Sequence, residues 1–291
     1  MAGRRLHLRA RARILRGGGD TLSERCYAAP ATSRIVETVR AFYDAAPFPD
    51  YHGLDTRDAL RNRVGVGAFE RMLNAQLPVE ARVLDVGCGT GQLTNFLGLR
   101  YGRTVIGGDL CLAPLRVAQD FRERFSINNA HFVQLNLFRP PFAPEAFDVV
   151  IAHRVLAHTG HPAGAFRAIA PLVKPGGAII LGLYNRFGRL PDLLRRALTS
   201  GARRREPRYT ERYGPRESRH SIDEALGWLA AAGFDFTASI PTIGDLRFSA
   251  QAPLFEPQSA GTRWGRLSSE IEMMMTGVQG GVFTVIGKKR R

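Results

Sequence analysis

At 291 residues, with 44% hydrophobic and 23% charged positions, the chain has an ordinary globular composition and room for one large core. No apolar run approaches the roughly 18–20 residues that cross a bilayer. Three cysteines (Cys26, Cys88, Cys111) with no CxxC spacing argue against a disulfide framework or a structural zinc site and fit a reducing, cytoplasmic setting.

The net charge of +15 is unevenly placed. Six arginines and no acid fall in the first sixteen residues, nine arginines lie between Arg195 and Arg219, and KKRR closes the chain. Such clusters can grip nucleic acid or another anionic surface, and a solvated loop would look the same. Residues 1–30 read as a basic, disordered tail, with a targeting segment or an early start codon as alternatives.

In chain order, SRIVETVRAFYDA places Ile35, Val36, Val39, Phe42 and Tyr43 at helical spacing. PFPDYHG breaks that helix with two prolines, and GAFERMLNAQL predicts another before Pro78. Residues 31–79 are thus expected to form an N-terminal helical lid carrying Tyr43, Phe48 and Tyr51. From Arg82 short apolar runs alternate with helices. RVLDV, TVIGGD, HFVQL, FDVVIA and AIILGLY read as strands, with helices between them and KPGG as a turn before the fifth. That alternation implies a parallel, doubly wound α/β sheet covered on both faces. An Arg-rich insertion is expected at 186–219. Ser221 with Glu224 has capping-box spacing, and Gly233 is a helix stop. DFTASIPTI and GVFTVIGKK read as two late strands, separated by a long loop at 245–280 with a helical stretch around RLSSEIEMMM.

The chemistry centres on VLDVGCGTGQL, Val83 to Leu93. A glycine turn between strand and helix often cradles phosphate. Here the pattern is Gly87, Gly89, Gly91, the third glycine of a dinucleotide fingerprint is replaced by Gln92, and no Lys or Arg lies between Val83 and Arg100. Asp85 closes the strand before the turn, and an acid there repels phosphate and attracts a cation. The loop therefore suits a ligand with an ammonium group, a carboxylate for the backbone amides and no phosphate, a description that fits S-adenosylmethionine. Asp109, ending the second strand, can take both hydroxyls of a ribose, or can cap the next helix.

VLDVGCGTGQL, VIGGDL, VQLNL, FDVVIAHRVLAH and LVKPGGAIILGLY, in this order, resemble class I S-adenosylmethionine-dependent methyltransferases over roughly residues 80–288. The resemblance implies a Rossmann-like sheet of seven strands in order 3-2-1-4-5-7-6 with strand 7 antiparallel, S-adenosylmethionine as cofactor, and methyl transfer as the activity. It places Asp85, Gly87, Cys88, Gly89, Thr90 and Gly91 around the methionine part, and Asp109 and Leu110 at ribose and adenine. Asn136 and Leu137 fall beside the adenine amino group, with Asn136 where many relatives have Asp, and His153 falls beside the sulfonium.

HRVLAH brings His158 to the loop after strand four as a general base or acceptor-positioning residue, since imidazole titrates near neutral pH. His153, His158 and His161 straddle a strand end, a turn and Pro162, so no metal is expected. Tyr184 and Asn185 end the fifth strand and are expected to face the acceptor, with His220 and Glu217 as further candidates. The Asn-Pro-Pro-aromatic run of enzymes that methylate exocyclic amino groups is replaced by AHRVL, which argues against that chemistry. The leading expectation is a small-molecule methyltransferase. An RNA or protein methyltransferase using the arginine segments, a non-catalytic S-adenosylmethionine-binding protein, and a nicotinamide oxidoreductase stand as alternatives.

Overall fold

The computed structural model describes residues 33–188, 217–243, 252–277 and 281–291, with side chains from residue 37. The basic tail and most of the Arg-rich insertion lie outside the described residues. The order of elements is α1 (Ser33–Ala45), α2 (Arg57–Gly65), α3 (Ala68–Gln76), β1 (Arg82–Val86), α4 (Gln92–Gly98), β2 (Thr104–Asp109), α5 (Leu112–Arg124) and β3 (Ala130–Gln134). Then come β4 (Phe147–His153), α6 (Pro162–Ile169), β5 (Val173–Tyr184), α7 (Ile222–Ala231), β6 (Phe234–Ile240), α8 (Arg263–Thr276) and β7 (Val282–Lys289).

The seven strands form one sheet in the order β3-β2-β1-β4-β5-β7-β6. The pairs among β1 to β5 are parallel, and β7 runs antiparallel to both β5 and β6, as the resemblance implied. Successive residues of a strand face opposite sides. Val83 packs with α2, α3, α4 and α5 on one face, and Leu84 and Val86 pack with α6, α7 and Met273 of α8 on the other. Two buried faces explain why the strands read as nearly continuous apolar runs.

Two expectations need correction. KPGG is not a turn before the fifth strand. β5 begins at Val173, and Val173 and Ala178 pair with Phe147 and Val149, so residues 174–177 bulge from the ladder. The 31–79 segment is not a separate lid. Leu60, Phe69, Met72, Leu73 and Leu77 share one core with Val83 and Val105, and each such burial contributes about 1.5–3 kcal/mol. Only α1 and the segment after it lie over the carboxyl edge. Within the span 245–280, the helical stretch around RLSSEIEMMM is the fourteen-residue α8.

Two buried ionic groups fix these additions. The Arg103 guanidinium, fully buried, donates to Asn74 Oδ1 (2.8 Å) and to the carbonyls of Asn74 and Leu77 (3.1 and 2.9 Å), tying α3 to β2. The buried Glu270 of α8 accepts from the Ile222 amide (2.6 Å) and from Arg186 Nε (2.7 Å), joining α8 to the start of α7 and the end of β5. Among the described residues no helix is long and apolar enough to cross a membrane.

Candidate active site

The glycine loop sits at the carboxyl edge of β1, where β1 and β4 diverge. Gly87, Gly89 and Gly91 all have positive φ, between 53° and 71°. At Gly89 the second constraint is space, since a Cβ there would come within 2.5 Å of the Phe48 carbonyl oxygen. Only glycine meets both demands.

Every amide of the loop is already used. Gly87 and Cys88 donate to the Gly108 carbonyl (2.7 and 3.2 Å), Gly89 to Asp109 Oδ2 (2.9 Å), Thr90 to the Phe48 carbonyl (3.3 Å), and Gly91 to the Cys88 carbonyl (2.8 Å). A ligand carboxylate expected at these amides would thus have to share or replace bonds the loop already makes. The same accounting explains why the loop is no phosphate cradle: an anion would have to displace these bonds.

The chain after α1 is responsible for part of this. Thr90 Oγ1 donates to the Pro49 carbonyl (2.6 Å) and Gln92 Nε2 to the Asp50 carbonyl (2.6 Å). The Tyr51 hydroxyl donates to the Thr90 carbonyl (2.9 Å) and accepts from Asn95 Nδ2 (3.3 Å). Gln92, which breaks the dinucleotide fingerprint, thus has a positive role that local sequence patterns did not reveal. Farther back on α1, Asp44 Oδ1 accepts from the Ala113 amide (3.1 Å) at the start of α5. An acid at a helix N-terminus is favoured by the helix dipole.

Two carboxylates face this region. Asp85, 4% exposed, accepts from Thr94 Oγ1 (2.8 Å). Burial raises its pKa to about 6, with the Thr94 bond opposing and the Asp109 charge adding. Asp109 accepts from Gly89 through one oxygen and from the Cys111 amide through the other (2.9 Å each), and burial raises it as well. Asp109 therefore ties the residue that precedes the next helix to the glycine loop. A carboxylate has about four acceptor positions, so ribose hydroxyls remain compatible with both bonds. Cys88 is buried beside the two acids, and burial and their charges push its thiol well up, keeping it neutral.

The remaining cofactor candidates lie along the same edge. The Leu110 carbonyl accepts from Gln134 Nε2 (2.9 Å), Asn136 Oδ1 accepts from the Phe138 amide (2.9 Å), and Leu137 packs on the α6–α7 face. The His153 ring packs on Phe69 of α3, with centroids 5.1 Å apart. A Cβ at Gly182 would come within 1.9 Å of the imidazole. Burial, reinforced by Arg154, lowers the His153 pKa to about 3, so the ring is neutral at pH 7.

On the acceptor side, the His158 ring stands edge-on between Tyr43 (centroids 6.3 Å) and Tyr184 (5.8 Å). Burial first, then neighbouring Tyr184 and Asp109, push the Tyr43 phenol up to about 12. Tyr184 is raised by burial and by Glu217, against the opposing charges of Arg154 and Arg219. Both phenols keep their protons. The Glu217 side chain is 1% exposed and pairs with Arg219 (2.8 Å), and the Ser218 amide donates to the Ala157 carbonyl (2.9 Å), which holds this strand of chain against the His158 turn.

Asn185 does not belong here. It is fully buried, its Nδ2 donates to the Glu270 carbonyl (2.7 Å), and its Oδ1 accepts from the Phe187 amide (3.0 Å), so the amide turns toward α8 and away from the acceptor side. His220 also lies behind the site, between Ser218 (2.8 Å) and Glu224 (3.0 Å) and against Trp228. His161 precedes α6 beside Arg167, so the three histidines of that segment diverge. Among the described residues no His, Cys, Asp and Glu cluster suits a metal ion.

Parts of the chain are similar to known proteins. The family profile described as methyltransferase domain matches residues 84–181. A ubiquinone biosynthesis O-methyltransferase of Pseudomonas syringae is 39% identical over 107 residues, covering 36% of this chain and 45% of that protein. One from Albidiferax ferrireducens is 38% identical over 116 residues, covering 39% and 46%. The chain thus spans under half the length of the curated relatives it matches. Among solved structures, an S-adenosylmethionine-dependent methyltransferase from Mesorhizobium loti superposes with a TM-score of 0.53 at 16% identity, over 78% of this chain and all of that one. One from Methanosarcina mazei gives 0.51 at 18%, over 75% and 97%.

Proposed function

We propose that this chain, a class I S-adenosylmethionine-dependent methyltransferase by its domain and fold, methylates a hydroxyl oxygen of a small-molecule acceptor, in the cytoplasm. The observation that carries the cofactor reading is the charge of the pocket. Two carboxylates, the buried Asp85 and the partly buried Asp109, border a loop whose amides are all engaged and whose sequence holds no Lys or Arg from Val83 to Leu99. Such a site repels a diphosphate and suits a cationic donor.

S-adenosylmethionine, when bound, supplies a methyl carbon already activated by its sulfonium. The protein's own tasks are alignment, exclusion of water and management of one proton. Asp85 and the Gly87–Gly91 loop would hold the methionine part, Asp109 and Leu110 the ribose and adenine, with Asn136 and Leu137 at the adenine edge. His153, neutral and packed on Phe69, gives the reaction centre an uncharged wall that does not oppose a cation. His158 takes the acceptor's hydroxyl proton. Tyr43 and Tyr184, protonated on either side of it, hold the imidazole and wall the acceptor space. The position of Tyr43 on α1 couples this space to the segment latched on the glycine loop, so acceptor and donor sites close together. The oxygen acceptor follows the relatives' O-methyltransferase names, and the buried free thiols Cys88 and Cys111 suit a reducing compartment.

Calorimetric titration with S-adenosylmethionine and with NAD separates this reading from a nicotinamide enzyme. Binding of the first alone is expected, and uptake of NAD with indifference to S-adenosylmethionine overturns it. Release of S-adenosylhomocysteine across a panel of phenols, alcohols and amines then tests the oxygen acceptor, which falls if amines alone are methylated.

A further inference from the structure

We infer that the groove between α6 and α7 is a second binding site, which takes a small organic monoanion with an aromatic body. The inference stands apart from the methyl-transfer reading and does not need it. The groove holds about 420 Å³, within the range of roughly 300–1,000 Å³ typical of small-molecule sites. It is open because small side chains line it. Ala163 of α6, Ala170 just past that helix, and Ala231 and Ala232 at the end of α7 all border a space that larger residues would fill.

Phe166 and Trp228 supply the aromatic lining, their rings stacked with centroids 6.0 Å apart and planes 28° apart. Phe166 is fully buried and Trp228 half-buried, so a planar ligand ring gains an aromatic surface to stack on. Trp228 is held in place by its neighbours. Its ring meets His220 edge-on (5.1 Å), and the two nitrogens of that imidazole are fixed by Ser218 (2.8 Å) and Glu224 (3.0 Å). A wall fixed in this way costs a ligand little ordering on binding. It also gives His220 a role that methyl transfer does not.

The charge of the ligand follows from the two cations that line the groove, Arg167 and Lys289. Arg167 is exposed and has no acid partner among the described residues; its guanidinium lies 3.4 Å from the neutral acceptor His161 Nε2. Lys289 Nζ donates to the Val173 carbonyl (2.8 Å) and to Glu145 Oε1 (3.4 Å), which leaves one of its three donors to spare. Two cations against the one acid that contacts them leave a single net positive charge, which suits a carboxylate or sulfonate better than a phosphate dianion. The groove is also remote from the acceptor side. Val173, which holds Lys289, is the first residue of β5, and Tyr184 is the last of its twelve.

The test uses two probes that share one ring system, 8-anilinonaphthalene-1-sulfonate and the uncharged N-phenyl-1-naphthylamine. Quenching of tryptophan fluorescence is followed in full-length Trp264→Phe, which leaves Trp228 as the one tryptophan of the chain and replaces a side chain that is 79% exposed. At low salt the sulfonate is expected to bind about fivefold more tightly than the uncharged probe. Adding Arg167→Gln should bring that ratio toward one without altering affinity for the uncharged probe. Adding Ala231→Leu should weaken both probes by about tenfold or more, because the leucine fills the groove. Both replaced side chains are exposed, so melting points should stay at the parent value. Equal affinities for the two probes, no quenching by either, a sulfonate preference that survives Arg167→Gln, or binding indifferent to Ala231→Leu overturns the inference.

Discussion

Replacing Asp85 by Asn should stabilise the protein while weakening donor binding. Burial raises the Asp85 pKa from the ordinary 3.8 to about 6. A carboxyl raised on folding contributes its full stability below pH 3.8 and loses it as the pH climbs through about 6. At 1.36 kcal/mol per pH unit, the ionised acid then costs the folded state about 3 kcal/mol at pH 8 and roughly half as much at pH 5. Asparagine keeps the shape and, with its carbonyl toward Thr94, keeps the hydrogen bond, but has no charge to desolvate. The variant should therefore melt about 5–10 °C higher at pH 8, with roughly half that gain at pH 5. Calorimetric titration of the same variant with S-adenosylmethionine should give at least about a tenfold loss of affinity, the expected cost of removing a buried charge opposite a cation. A melting point that falls at pH 8, or a gain that does not vary with pH, refutes the electrostatic account of Asp85. Unchanged donor affinity refutes its role in the site.

Three further outcomes follow from the contacts around the loop. Gly89→Ala should cost about 1–2 kcal/mol for the left-handed backbone alone, plus the displacement of Phe48 from the loop, read as a lower urea midpoint together with loss of donor binding. A variant that melts normally and binds S-adenosylmethionine at wild-type affinity would show that the close approach of residue 48 is dispensable. His158→Gln should reduce kcat by about a hundredfold with donor affinity unchanged, measured as S-adenosylhomocysteine release with a turned-over acceptor, and an unaltered kcat removes His158 as the base. Asn185→Ala should destabilise by about 2–4 kcal/mol, because the buried Glu270 carbonyl and Phe187 amide both lose a partner, yet leave the KM for acceptor unchanged. A raised KM with normal stability would return Asn185 to the acceptor side.

The sheet was legible because parallel strands buried on two faces leave long apolar runs, and RVLDV, TVIGGD and FDVVIA each fall within one residue of β1, β2 and β4. The ends of α7 were legible too: Ser221 Oγ accepts from the Glu224 amide (3.1 Å) at its start, and Gly233 has φ of 79° after its end. Only half of that capping box forms, since the Glu224 carboxylate turns to His220 instead. α2 escaped notice because Leu60 is its one buried side chain, which leaves no apolar stripe. Its only signals were Thr56, which caps the Ala59 amide, and Asp58 in the first turn. Asn185 was misplaced because position at a strand end fixes a backbone, while the side chain's direction depends on α8, some 80 residues later. The latch of residues 48–51 on the glycine loop was invisible for a similar reason. It is made largely of backbone carbonyls, which every sequence possesses.

The position of β7 between β5 and β6 has a consequence for how the chain comes to be folded. β6 pairs with β7 and with no other described strand, and residues 241–281 separate the two. As the chain emerges during synthesis, β6 must wait with both its edges unsatisfied, an open template for any passing strand. Substitutions along that intervening stretch should thus show themselves first as lost yield and aggregation in the cell, with the protein that does mature retaining normal turnover.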